Sequence, residues 1–193
     1  MGYPTPYQTQ GPALIGTYSY TDLADGTGQA LWYGTGVYND AAASYALTTQ
    51  AITAPTDNAG VLLNKMNSNN DYQLDTPTFN TPRTVRGTGH FSCVFVCSSS
   101  SKNMYVNAQI KHVDSDGTET NLTSNIKSQV ISGTATGDKY ISFKMPITTE
   151  KRFKVGEFLR LKLQVRDGDA ASYITTETTK PIKLFVPLKI DLT

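Results

Sequence analysis

Lysine and arginine are missing from the first third of this chain. Residues 1–64 contain neither, against four aspartates, Asp22, Asp25, Asp40 and Asp57. The rest of the chain holds all 17 basic residues and the other 12 acidic ones. The net charge is only +1, so the basic excess of a dedicated nucleic-acid binder is absent. The segregation suits an acidic N-terminal part that meets a basic patch on a partner or a neighbouring copy. No stretch approaches the roughly 18 apolar residues of a membrane-spanning helix. The opening MGYPTPYQTQGPALIG lacks the basic and apolar regions of a secretory leader.

Histidine and cysteine are scarce as well. His90 and His112 are the only histidines, and no G-x-S-x-G elbow, P-loop or H-E-x-x-H is present. The sequence therefore predicts no catalytic, cofactor-binding or metal-binding residues, and a protein that is not an enzyme. A Cys93–His112 nucleophilic pair needs two strands presenting matching faces, and a hydrogen-bonded core histidine is the simpler reading. Cys93 and Cys97 lie four apart in FSCVFVC. In a strand they stand about 13 Å apart, beyond the roughly 7 Å reach of a disulfide. Both are expected as free, buried thiols. Asp114-Ser115-Asp116-Gly117 opens like a calcium loop. However, Glu119 stands where the loop needs glycine and Asn125 where it needs the closing glutamate. A hairpin turn is expected instead.

What is abundant points to strands. Threonine numbers 27 and tyrosine 11, both suited to a pleated, half-buried surface. The clearest element is 157–167, EFLRLKLQVRD, where Leu159, Leu161, Leu163 and Val165 alternate with Arg160, Lys162, Gln164 and Arg166. Successive strand side chains point to opposite faces, so this is one apolar and one cationic face. Residues 103–113, 138–147 and 182–192 alternate likewise. Residues 30–38 carry two glycines, which predict a bulge or a close approach of another part of the chain. Pro187 lacks an N–H, which predicts an edge or a bulge in the last strand. A hairpin is expected through Asp116-Gly117 into 118–131, and a short helical turn over 61–66. The fold expected is all-β, an antiparallel, jelly-roll-like β-sandwich of about 8–10 strands. It divides into an extended arm, 1–16, and a single domain, 17–193. Pro4, Pro6 and Pro12 favour extended backbone in the arm, whose few apolar groups cannot form a core. Tyr33, Tyr38 and Tyr105 are candidate platforms for stacking sugars if their strands expose them.

GPALIGTYSYTDLADGTGQALWYG, FNTPRTVRG, FKVGEFLRLKLQV and LFVPLKIDL resemble small virion proteins of tailed bacteriophages, in particular the head decoration, or cement, proteins of marine cyanophage-like viruses. The resemblance covers about half of the chain and leaves 39–78 and 98–140 unplaced. It implies a jelly-roll protein on the capsid exterior, assembled in the host cytoplasm. Such a protein is bound to the major capsid protein as a homotrimer or other homo-oligomer, without nucleic acid or membrane. The contact residues it implies are Tyr3, Pro4, Pro6, Tyr7, Leu14, Ile15, Tyr18 and Tyr20. The alternative is a receptor- or glycan-binding appendage such as a head fibre, tail-fibre tip or carbohydrate-binding module.

Overall fold

The structure is a computed structural model that describes residues 16–17, 27–39, 44–50, 65–67, 70–97, 103–166, 172–177 and 179–190. The described residues contain no helix and form thirteen strands. In chain order they are β1 (Gly16–Thr17), β2 (Thr27–Asn39), β3 (Ser44–Thr48), β4 (Lys65–Asn67), β5 (Asp71–Asp75), β6 (Arg83–Cys97) and β7 (Tyr105–Val113). Then follow β8 (Glu119–Asn121), β9 (Ile126–Lys127), β10 (Gly137–Phe153), β11 (Phe158–Arg166), β12 (Tyr173–Thr175) and β13 (Ile182–Ile190).

The strands make a jelly-roll-like sandwich of two layers. The first, sheet 1, runs β10–β6–β13–β2, with β12 and β4 beside one end of β6 and β1 on β2. The second, sheet 2, runs β5–β11–β7, with β8 and β9 successive along the outer edge of β7. Strand β3 joins the layers, pairing antiparallel with β2 and parallel with β5. That parallel pair corrects the expectation of a wholly antiparallel sheet. It arises because β3 and β5 are linked by a long excursion rather than a hairpin. At the opposite margin the Thr148 amide of β10 donates to the Leu122 carbonyl at 3.0 Å, which ties the sheets together again.

The alternation read from the sequence is the reason for this burial. Leu159, Leu161, Leu163 and Val165 of β11 are fully buried and lie opposite His112, Ile110, Ala108 and Val106 of β7. Phe91, Cys93, Phe95, Ile141, Met145 and Leu184 line the facing sheet, around Trp32. Removing each large apolar side chain from water contributes about 1.5–3 kcal/mol. The two layers approach closely at Gly89, where a Cβ would stand 3.5 Å from Ile110 across the core and only 2.8 Å from the Phe185 carbonyl.

Several local expectations change. Residues 65–66 belong to β4, because Met66 pairs opposite Ile174 and is buried there; the helical turn expected over 61–66 is replaced at these positions. The strand expected over 118–131 splits into β8 and β9. Leu122 turns into the core, and the Leu122 and Thr123 amides both reach the Ile110 carbonyl, a bulged arrangement that breaks the ladder. This splitting and the short strands β1, β4 and β12 raise the strand number above the eight to ten expected. The bulge in β2 falls between Gly34 and Tyr38, as the glycines predict. Pro187 does not lie on an edge: β13 is central, between β2 and β6. Its register with β6 slips between Phe185 and Leu188, so the missing N–H falls at a bulge. Gly87 of β6, at φ +98, sits against the Pro187 ring there.

Candidate partner-binding surface

The outward faces of the two sheets differ in how completely their charges are matched. On sheet 2, Arg160 of β11 grips both carboxylate oxygens of Asp75 at 2.6 Å and reaches Glu119 at 2.6 Å. Lys111 holds the other Glu119 oxygen at 2.6 Å, and Arg166 binds Asp71 at 2.7 Å. Gln164 accepts from Asn107 and Asn125 and donates to Asp71. The Asp75 hydrogen bonds are foremost in raising Arg160 above its ordinary value. The Lys111 hydrogen bond is foremost in lowering Glu119. Bidentate and networked pairs of this kind outlast isolated surface pairs. The solvated cationic face read from the β11 sequence is therefore a closed network with the acids of β5 and β8.

Sheet 1 presents the opposite case. Directly opposed residues of antiparallel strands share a face, so the register lays out its outer surface in rungs. One rung is Leu31–Phe185–His90–Lys144, and the next is Tyr33–Lys183–Ser92–Ser142. Tyr140 follows opposite Val94, and Lys189 lies beyond, opposite Thr84, which pairs with Arg152. No Asp or Glu occurs on these rungs. Among the described residues Lys144, Lys183 and Lys189 form no ion pair; Asp138, at the rim, is held by Lys180 at 2.6 Å. Tyr140 is 81% exposed, and His90 and Lys144 are exposed beside it. The result is a pleated surface of aromatic rings and ammonium groups, with the carboxylates at its margins, Asp138 and Glu150, held by Lys180 and Arg86. Aromatic bodies with polar tips, and lysines with apolar stems, are side chains that bury favourably against a partner.

A cleft of about 360 Å³ lies where β3 and the chain after β5 diverge. Tyr45 and Phe158 contribute rings, and Thr48, Asp75, Thr76 and Thr78 contribute polar groups. Tyr45 packs edge-on against Tyr72 at 5.7 Å, and Arg160 spans the Asp75 carboxylate beside it.

The contact residues implied by the resemblance, Tyr3, Pro4, Pro6, Tyr7, Leu14, Ile15, Tyr18 and Tyr20, lie outside the described residues, as do residues 1–15 of the expected arm. Of the three tyrosines considered for stacking, Tyr33 is on the outer face of sheet 1, half-buried. Tyr105 has Lys127 over its ring at 3.9 Å. The Tyr38 side chain lies outside the described set. The free-thiol expectation agrees with the structure: Cys93 and Cys97 are unbridged and buried. Burial pushes the Cys93 thiol far up, which suppresses the thiolate a nucleophile needs. His112 is a core histidine. Its Nε2 meets Glu157 at 2.7 Å, its ring packs edge-on to Phe153, and its Nδ1 is buried without a partner. The Asp114–Gly117 segment is a hairpin turn, in which the Asp114 carboxylate accepts from the Thr118 amide at 2.8 Å and Gly117 takes φ +88. Sequence reasoning missed Phe185, Tyr140, Lys144 and Lys183 as one surface. Their outward alternation was readable in each strand, but which strands adjoin was not.

No protein-family model and no curated protein matches the chain. Solved structures do. An alpha-amino acid ester hydrolase matches at TM-score 0.54 and 10% identity, over 82% of this chain and 36% of that one. A CocE/NonD family hydrolase from Staphylococcus aureus matches at 0.51 and 13%, over 82% and 36%. A family 3a carbohydrate-binding module from the scaffolding of Clostridium thermocellum matches at 0.33 and 12%, over 77% and 81%, a score that carries no argument. The chain spans about a third of the length of the two hydrolases. At these identities the likeness shows the fold alone: the chain is similar to β-sandwich regions of known proteins.

Proposed function

We propose that this protein is a structural virion protein that binds the outer surface of a tailed-phage capsid and stabilises the shell. One observation carries the reading: the asymmetry of the sandwich, with a charge-matched network on one outer face and an open aromatic and lysine surface on the other. Among the described residues one face is charge-matched for water and Lys144, Lys183 and Lys189 of the other have no acid partner, an arrangement that suits a face covered by a partner. The sequence resemblance to decoration proteins supplies the kind of partner, the major capsid protein, and the arm supplies a second contact. Many modest contacts repeated by symmetry stabilise a shell far more than one contact does. The test is occupancy of purified shells lacking the protein. The full chain is expected to bind at a fixed stoichiometry and to raise the temperature of shell disruption, and deletion of residues 2–15 is expected to weaken binding. Absence of binding by the full chain would overturn the reading.

The cleft favours a second reading, a receptor- or glycan-binding appendage. Its volume lies at the lower end of ligand sites, and its rings and hydroxyls are the groups that stack on and hydrogen-bond a sugar. A polysaccharide array tests it: retention that Phe158→Ala abolishes supports this reading, and no retention removes it.

A further inference from the structure

We infer that the outer face of sheet 1 is covered by an acidic protein surface, a flat patch that bears carboxylates on apolar ground. That the face is covered at all rests on the functional reading; the chemistry of the cover rests on the face alone. Charge is the first support. Lys144, Lys183 and Lys189 form no ion pair among the described residues, whereas Lys111, Arg160 and Arg166 of sheet 2 are each matched by an acid. The carboxylates at the margins of sheet 1 are already paired, Asp138 with Lys180 and Glu150 with Arg86. The unmatched charge is therefore positive, and its complement is a partner's carboxylates. Arginine, whose planar fork is the usual grip on a phosphate, is not among these unmatched cations. Layout is the second support. Tyr33 stands on β2, Lys183, Phe185 and Lys189 on β13, His90 on β6, and Tyr140 and Lys144 on β10. A single extended polymer meets only a line of such groups, whereas a second surface meets them all. At about 4.8 Å between strands and about 3.3 Å per residue, the patch from Lys189, level with Thr84, to Tyr140, level with Val94, measures about 19 by 33 Å. That is about 600 Å², close to the roughly 800 Å² that one partner gives to a specific protein–protein contact. Phe185 and Tyr33 are half-buried, and Tyr140 is 81% exposed. These rings supply the apolar area and the anchor that charges alone lack.

The experiment reads which lysines a partner covers. The full-length protein, free or mixed with shells lacking it, receives a brief pulse of an acetylating reagent, and mass spectrometry measures the modification of each lysine. On shells Lys144, Lys183 and Lys189 are expected to be protected, while Lys162 on the outer face of sheet 2 stays as reactive as in the free protein. A carbodiimide, which joins amines to carboxylates in contact, is expected to link the same three lysines to aspartates or glutamates of the shell. A Lys144→Glu/Lys183→Glu/Lys189→Glu variant should occupy shells about 100-fold more weakly, since like charges then face each other. A Lys144→Arg/Lys183→Arg/Lys189→Arg variant should bind as the wild type does. Fluorescence of the buried Trp32 reports whether each variant keeps its core. Shells occupied with the three lysines still reactive, or occupied equally by the glutamate variant, would overturn the inference and leave the functional reading standing. If no shell is occupied, the functional reading falls and a soluble probe decides the inference. A random copolymer of glutamate and tyrosine is expected to protect the three lysines at low salt. Salt at about 0.5 M should remove that protection, because exposed charges are then screened within a few ångströms. No protection by the copolymer would overturn the inference. So would equal protection by alginate, a polyuronate, or by vesicles of phosphatidylglycerol and phosphatidylcholine in equal parts.

Discussion

Substituting Glu157 by glutamine isolates the charge of a carboxylate buried in the core against His112. One carboxylate oxygen, Oε2, receives both the His112 Nε2 contact at 2.7 Å and the Lys154 amide at 2.8 Å. The side chains of His112 and Glu157 are only 2% and 8% exposed, so water does not replace either bond. Glutamine can place its carbonyl oxygen at the same point and keep both contacts, but as bonds to a neutral acceptor. Hydrogen bonds to a charged group contribute about 1.5–3 kcal/mol and neutral ones about 0.5–1.5. Glu157→Gln should therefore cost about 2 kcal/mol. Glu157→Ala removes the acceptor, strands the Lys154 amide and leaves both nitrogens of His112 unmet, which should cost about 3–5 kcal/mol. Urea unfolding followed through Trp32 measures both. For a chain of this size 2 kcal/mol corresponds to a fall of about 4–8 °C in Tm.

The same pair fixes a pH dependence. Burial is the largest single influence on Glu157 and acts to raise its pKa. The Lys154 amide and His112 together outweigh it, and the folded carboxyl titrates below its ordinary value of 4.5. A folded pKa that is depressed contributes stability fully present above the unfolded value and lost as pH falls through the folded one. The stability gap between wild type and Glu157→Gln should narrow below about pH 4.5 as the wild-type carboxyl protonates. A gap below about 0.5 kcal/mol at neutral pH, or one unchanged down to pH 3, would refute the assignment of this stability to the carboxylate charge.

Gly89→Ala places a methyl group 2.8 Å from the Phe185 carbonyl, which is backbone and cannot turn aside, so a loss of about 1–3 kcal/mol is expected in thermal unfolding. Gly34→Ala should behave alike, since its Cβ meets Leu74 at 2.7 Å and Ile182 at 2.9 Å in two packed strands. Cys93 should resist an aromatic disulfide reagent in the native protein and react on unfolding; rapid native labelling would contradict its burial. Arg160→Leu should leave Asp75 and Glu119 without their shared guanidinium and cost about 1–3 kcal/mol. That loss should shrink when Asp75→Asn is combined with it, as a double-mutant cycle would show. Tyr140→Ala should leave Tm within about 1 °C while weakening association, because Tyr140 meets solvent rather than the core.

The layer class and the inward faces were legible in the chain's alternation alone. The alternation of Leu159, Leu161, Leu163 and Val165 has one physical solution, a half-buried strand, and β11 has that burial residue by residue. The same rule placed Ile182, Leu184, Val186 and Leu188 inside, and strand rise alone kept Cys93 and Cys97 apart. What the sequence could not decide was adjacency. Pairing in a sheet joins residues far apart in the chain, and a period of two says which side chains share a face but not which strand lies beside it. Thus Arg160 and Lys162 looked like open cations until β5 and β8 brought Asp75, Asp71 and Glu119 beside them. Lys183 and Lys144 looked like ordinary solvated positions until β13, β6 and β10 set them together on rungs that carry no acid, the nearby Asp138 being held by Lys180. The rule for Pro187 gave two outcomes, and only the position of β13 between β2 and β6 chose the bulge over the edge. Charge content is a property of the chain, but charge matching is a property of strand neighbours, and so the candidate surface emerged only in the tertiary structure.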